Sequence, residues 1–214
     1  MPKYVTFFDF DNTITRRDVL DDILARFSVN GRWIELERRW KRGDIGSKEC
    51  LEGQIGGIRM TKGMLDRYIK EIDIDPHFKK LLRFFASKNI KPVIVSDNFD
   101  YILENTMKNH GINGVKTYCN RLKVDKDRLI PRFPLTNAKC GNCGHCKKTT
   151  VLKHTGKGVR SAYVGDGLSD LHASKCADIV FAKDTLLKYC REEGMDCVPF
   201  KDFRGVHDYF KALK

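Results

Sequence analysis

The chain has 214 residues, 41% hydrophobic and 32% charged, enough for one well-buried core plus a small accessory unit but not for two full-sized domains. No apolar run approaches the ~18 residues of a membrane span, so a soluble protein without a membrane partner is expected. Forty Lys and Arg stand against 28 Asp and Glu, a net charge of +12; the surface attracts anions, yet the basic residues are scattered and form no recognisable nucleic-acid module, so no nucleic-acid partner is expected.

The apolar segment that follows Met1-Pro-Lys is seven residues long and runs straight into aspartates. It reads as a strand rather than a secretory signal, which points to the cytoplasm and to eight cysteines that stay reduced or bind metal. Tyr4 to Phe10 is a β-branched and aromatic run ending at Asp11-Asn12, as a buried parallel strand does. From Asp18 to about Ile72 the periodicity turns helical, with Val19, Leu20, Ile23, Leu24 and Phe27 in one stripe and Trp33, Leu36 and Trp40 in another. Glycines between 43 and 46 and at 56 and 57 interrupt these helices, as stops or as points of movement. The two tryptophans read as core of this segment. Asp75-Pro76 is a helix start, Lys91 to Ser96 a second strand, Tyr101 to His110 a helix, Gly114 to Tyr118 a strand, and 119–139 an irregular or hairpin stretch. A helix from Thr149, a strand over Ser161 to Gly165, a helix from Ser169, a strand over Ile179 to Phe181 and helices near Leu186 and Val206 complete the pattern. Alternating strands and helices imply a parallel sheet covered on both faces, an α/β Rossmann-like core of residues 1–15 and 73–214 with a helical bundle, 16–72, inserted.

Three strands end in polar groups: Asp9, Asp11 and Thr13; Ser96 and Asp97; Asp166 and Asp170. In an open α/β sheet the ligand crevice lies along that carboxyl edge, so these segments converge there. Carboxylates crowded in this number call for a divalent cation, and hard oxygen donors suit Mg2+. In Asp9-x-Asp11 one carboxylate can attack while the other moves a proton, and donors for a phosphoryl group are available at Ser96, Asp97, Asn12, Thr13 and a lysine at 147 or 148. Helical register favours Lys148, which has Val151 and Leu152 three and four positions on, over Lys147. Cys140-x2-Cys143-x2-Cys146 has zinc-ligand spacing, with Cys119 or His145 as a fourth ligand, and the alternative is a flap of reduced cysteines. The other histidines and cysteines show no ligand spacing.

Taken in order, DFDNTIT, VIVSD, the downstream lysine and VGDGLSD resemble the four motifs of the haloacid dehalogenase superfamily of phosphatases, across nearly the whole chain. The resemblance implies Asp9 as nucleophile and Asp11 as general acid and base. It also implies Mg2+ on Asp9, the Asp11 carbonyl and Asp166, with Asp170 orienting the lysine or a metal-bound water. In relatives the lysine directly follows a cysteine, which speaks for Lys147. The inserted helices resemble the cap of the phosphoserine-phosphatase-like branch, with Asp18 and Gln54 at positions that meet the substrate. Gln54 falls where that branch has an arginine, and Ser-Asp-Asn replaces Ser-Gly-Gly. Tyr118-Cys-Asn120, the cysteine cluster and the tail from Phe181 to Phe203 are similar to the methionine-salvage phosphatases of 2-hydroxy-3-keto-5-methylthiopentenyl-1-phosphate. The expected substrate is therefore a small phosphorylated metabolite. Phosphoserine, phosphocholine or phosphoethanolamine hydrolysis, phosphotransfer to an alcohol, or mere anion binding are the alternatives, and the oligomeric state, monomer or homodimer, stays open.

Overall fold

In the computed structural model, which describes residues 3–139 and 142–213, Lys3–Phe8 forms β1 at the centre of the sheet. Four helices follow, α1 (Val19–Phe27), α2 (Arg32–Arg42), α3 (Ser47–Gly56) and α4 (Lys62–Lys70), then α5 (Phe78–Ser87), β2 (Lys91–Phe99), α6 (Asp100–Asn109), β3 (Lys116–Asp125) and β4 (Arg128–Arg132). The chain continues with α7 (Lys147–His154), β5 (Val159–Gly165), a 3-10 turn at Leu168–Asp170, α8 (Leu171–Ser174), β6 (Ile179–Ala182), α9 (Asp184–Glu192), β7 (Val198–Pro199) and α10 (Phe203–Ala212). Among the described residues the strands form one sheet in the order β4-β3-β2-β1-β5-β6-β7, parallel except for β4. The order reverses at β1, whose neighbours are β2 and β5, so the crevice of an open α/β sheet opens at the carboxyl end of β1.

Strand alternation distributes the core. Val5 and Phe7 of β1 join Val93, Val95 and Tyr163 on one face, beneath Val151 and Ala173 of α7 and α8. Phe8 points the other way, with ring centroids 5.4 to 6.1 Å from Phe78, Phe85 and Phe203 of α5 and α10. Both faces are thus apolar and covered, which is why β1 reads as a continuous hydrophobic run.

The chain leaves this sheet at Thr15 and returns at Ile74, where the two residues bridge and the Asp75 amide donates to the Ile14 carbonyl at 2.8 Å. Between them lie α1–α4. Val19, Ile23 and Leu24 of α1 and Leu65, Tyr68 and Ile69 of α4 bury into the same apolar cluster as α5 and α6, while Leu36, Ile45 and Cys50 form a small cluster of their own with Trp40. The glycines of this segment act as stops and close contacts. Gly43 ends α2 in the left-handed conformation at φ 80°, and a side chain at Gly46 would run into the backbone of Asn142.

Three local expectations change. The strand expected to end at Tyr118 runs on as β3 to Asp125 and pairs with β4 across Lys126 at φ 56°, so of the two readings of the stretch after it, irregular or hairpin, the hairpin holds for most of it. Asp75 does not cap α5, which begins after His77; its carboxylate instead accepts from the amides of His77 and Phe203, tying α10 to the start of α5. β7 is two residues long, too short to leave a pattern.

Candidate active site

The loop after β1 folds around one carbonyl. The amides of Thr13, Ile14 and Thr15 all donate to Phe10 O, and Asn12 takes a left-handed backbone at φ 49°. Short polar residues tolerate that conformation. The turn leaves Asp9 and Asp11 lining a cavity of about 130 Å3 together with Asp97, Lys147, Asp166 and the roof residues Leu20, Trp40, Leu51 and Gln54. Asp9 is buried, and a carboxylate oxygen from each of Asp9, Asp166 and Asp170 lies within 4.8 Å of the others. Segments 157 residues apart therefore meet at one point, the convergence expected for the sheet's carboxyl edge.

Lys147, not Lys148, enters this site. Its Nζ donates to Asp9 Oδ1 and Asp170 Oδ1, each at 2.8 Å, and to Ser169 Oγ at 2.9 Å, whereas Lys148 is exposed. The expectation from register is corrected because it demanded an apolar stripe. The buried face of α7 is Lys147, Thr150 and Val151, and Leu152 is 51% exposed. Two carboxylates compensate the buried ammonium, so an ion pair takes the place of the apolar residue the periodicity looks for. Burial by itself lowers the Lys147 pKa, but Asp170 and Asp9 outweigh it and hold it well above its ordinary value.

Asp170 is completely buried and saturated. Lys147 and the Tyr163 hydroxyl, at 2.7 Å, donate to Oδ1, while the amides of Asp166 and Gly167 donate to Oδ2 at 3.1 Å. Gly165 is required beneath it, since a side chain there would overlap the carboxylate. Asp166 accepts from Thr13 Oγ1 at 2.6 Å and from Asn12 Nδ2 at 2.9 Å, and the Asn12 amide is already taken by Thr15 Oγ1 and Arg17 O. Asn12 and Thr13 are accordingly placed as supports of Asp166, a correction to their reading as phosphate donors. Ser96 is buried, its Oγ accepts from the Asn98 amide, and of this pair it is Asp97 that lines the cavity, because neighbours on a strand face opposite sides.

The electrostatics are those of an anion-crowded pocket. Burial, then repulsion from Asp170, pushes Asp9 well above the usual carboxylate range, and the same causes raise Asp166. Asp11 is pushed up to about 6 by burial, against Asn98 Nδ2 and the Val19 N–H, which both donate to its Oδ1. The second oxygen of Asp11 is thus the one that can carry a proton. Asp18 caps α1, accepting from the Asp21 amide; it is reachable by water yet enclosed in the concave pocket, and that enclosure raises its pKa. Gln54 is buried, lines the cavity and donates to Glu37.

Several supports left no sequence signal. Tyr163 reads as a core strand residue, Asn98 enters only as the last residue of Ser-Asp-Asn, and Asp184, in the tail otherwise remote from the chemistry, accepts from Asn12 at 3.0 Å. Asn120, which sequence placed only in a resemblance, donates to the Asp97 carbonyl at 2.6 Å. His145 is the firmest of these. Its amide donates to Asp97 Oδ1, Nδ1–H donates to the Ser96 carbonyl at 3.0 Å, and Nε2 therefore accepts from Thr150 Oγ1 at 2.8 Å. The ring is neutral, with burial lowering its pKa from 6.5 to about 4. Between those values the unfolded chain binds a proton that the folded chain does not, so this histidine's contribution is present above about pH 6.5 and is lost as pH falls toward 4. That amounts to about 3 kcal/mol. Urea unfolding from pH 7 to 4 is expected to show a shallower loss of stability in His145→Gln than in the unmodified protein; equal slopes would refute the assignment.

The zinc expectation finds no support among the described residues. Among the described residues the Asp9, Asp166 and Asp170 group is the one convergence of three or more metal-ligating side chains. Both nitrogens of His145 are engaged, Cys146 Sγ pairs with Thr149 Oγ1 at 3.0 Å, and Cys119 packs against the core with burial pushing its thiol up to about 12. Cys140 lies outside the described residues. Also among the described residues, no helix is long and apolar enough to cross a membrane.

Residues 6–175 match the family model of haloacid dehalogenase-like hydrolases. The chain belongs to this family. A bifunctional enzyme MtnB/MtnX from Bacillus licheniformis is 29% identical over 211 residues, covering 96% of this chain and 49% of its own length, so the chain spans about half of that relative. The 2-hydroxy-3-keto-5-methylthiopentenyl-1-phosphate phosphatases of Bacillus velezensis and Exiguobacterium sibiricum are each 26% identical, covering 92% and 96% of this chain and 86% and 95% of their own. Among solved structures, a phospho-aspartyl intermediate analogue of phosphoserine phosphatase superposes with a TM-score of 0.77 at 20% identity over 98% of this chain and 99% of that one. At that identity the likeness is one of fold. The relatives named here carry phosphatase names, and the family this chain belongs to is one of hydrolases.

Proposed function

We propose that the protein is a magnesium-dependent phosphomonoester hydrolase acting on a small phosphorylated metabolite through an aspartyl-phosphate on Asp9. The observation that carries this reading is the meeting of Asp9, Asp166 and Asp170 within 4.8 Å beside the buried ammonium of Lys147. The donor set fits a hard divalent cation: the carboxylates raise one another's pKa and all ligand atoms are oxygens. Asp9, the Asp11 carbonyl and Asp166 are the residues that would hold magnesium, because both oxygens of Asp170 already accept two donors each. When bound, the cation supplies positive charge against the phosphate oxygens.

Asp9 attacks phosphorus as the bond to the ester oxygen breaks, and Asp11 gives its proton to that leaving oxygen. In the second half Asp11 takes a proton from the water that attacks the phosphoryl group, which frees phosphate and restores the Asp9 carboxylate. A carboxyl group with a pKa of about 6 is suited to move a proton in both directions near neutrality. Lys147, oriented by Asp170, offsets the charge that collects on the transferring group.

Helices α1–α4 serve as a cap, roofing the cavity with Leu20, Trp40 and Leu51 and excluding water from the intermediate. That apolar lining supports the methylthiopentenyl ester of the named relatives as first candidate. Phosphoserine ranks behind it, since Gln54 stands in the roof and, among the described residues, no arginine lines the cavity to grip a carboxylate. A phosphate-release assay over a panel containing the methylthiopentenyl ester, phosphoserine and phosphocholine tests the reading. Turnover is expected with magnesium and should fall at least about 100-fold in EDTA, returning when magnesium is restored. No release from any ester would remove the function, and full activity in EDTA would remove the metal.

A further inference from the structure

The roof of the cavity carries charge of one sign. Asp18, Asp21 and Glu37 are its acidic groups, and among the described residues of the lining the one cation, Lys147, is already bound to Asp9 and Asp170. Glu37 is set in place from within: the buried Gln54 donates to its Oε2 at 3.0 Å and the buried Cys50 thiol lies 4.0 Å from the same oxygen. From outside, Lys41 sits 3.1 Å from Oε1, but its side chain is 55% exposed and that pairing is open to water and salt. Lys41 and Arg42 line the adjoining groove, which shares Trp40, Ser47 and Asp97 with the cavity, rather than the cavity itself. Asp21 and Glu37 are close enough that, after burial, repulsion from Glu37 is the next cause raising the Asp21 pKa. Trp40, beside them, offers an aromatic surface.

We propose that Asp21 and Glu37 select the substrate by the charge of the end remote from its phosphate, favouring an ammonium group, accepting a neutral chain and rejecting a carboxylate. The inference rests on the phosphatase reading and specifies its substrate class. An ammonium there meets two carboxylates and an indole face, while a carboxylate meets like charge with no guanidinium to receive it. A net charge of +12 over the whole chain makes this local reversal selective. Anionic esters are drawn to the protein in general, and the roof then sorts them by the other end.

The test compares three esters of similar size with magnesium at low ionic strength: O-phosphoethanolamine, n-propyl phosphate and phosphoglycolate. In the unmodified protein kcat/KM is expected to fall in that order, by about tenfold or more from the first to the last. In Glu37→Gln and, separately, Asp21→Asn the amine-to-carboxylate ratio should drop several-fold toward one. Because both substrates are measured on one preparation, the ratio does not depend on how much of a variant folds. Hydrolysis of all three without ordering by charge overturns the inference while leaving the phosphatase reading intact, and so does an order unchanged in both variants. Failure to hydrolyse these esters and also p-nitrophenyl phosphate overturns the phosphatase reading, and the inference with it.

Discussion

Asp9→Asn is expected to lower turnover by at least about 10^4-fold while leaving the protein folded and, without metal, no less stable than before. The amide keeps the shape of the side chain but has no charge with which to attack phosphorus. Its effect on stability follows from the electrostatics of the pocket. Burial and the neighbouring Asp170 push the Asp9 pKa well up, so the charged form is disfavoured in the folded chain relative to the unfolded one. At neutral pH that carboxylate opposes folding, and a neutral amide removes the opposition. Lys147 keeps Asp170 as a partner, so the ammonium is not orphaned. Phosphate release and thermal unfolding in EDTA, measured on the same preparation, check both halves. Residual turnover within tenfold of the original sinks Asp9 as nucleophile, and a large drop in melting temperature sinks the account of its charge.

Lys147→Met and Lys148→Met are expected to behave in opposite ways although the two residues are adjacent. Methionine matches the lysine stem in size but leaves Asp9 and Asp170 facing each other, buried, with no counter-charge. Removing one partner from such a group costs about 3–5 kcal/mol, and loss of the ammonium at the reacting centre costs about 10^2- to 10^3-fold in turnover. Magnesium should restore part of the stability of Lys147→Met, because a cation on Asp9 supplies some of the missing charge. Lys148→Met changes an exposed position, so stability should stay within about 0.5 kcal/mol and turnover should not move. Urea unfolding with and without magnesium, beside steady-state kinetics, separates the two. Equal behaviour of the variants would overturn the placement of Lys147.

Much of the architecture can be read from local pattern. β1 is apolar on both faces because Phe7 and Phe8 bury against opposite helical layers, and a strand of that kind is a continuous apolar run in any chain. The carboxylates that follow it stand out because charged groups beside such a run have no place in a core. α1 and α4 likewise show their buried faces as stripes, since side chains three and four apart share one side of a helix. α7 defeats the same rule: its buried face includes an ammonium, and only partners 138 residues before it and 23 after it make that burial tolerable.

The sequence by itself determined the alternating α/β core, the inserted helices and the gathering of Asp9, Asp11, Asp166 and Asp170 at one edge. Periodicity, glycine turns and acidic strand ends are short-range signals that any parallel sheet brings together. Only the tertiary structure decided which lysine enters the site, that Asn12 and Thr13 hold Asp166, that Tyr163 and His145 brace the motifs, and that Asp21 and Glu37 face the cavity. Each of these depends on whether a polar group finds its partner across the fold. The free energy of burying such a group changes sign with that partner, and the neighbouring residues in the chain do not reveal it.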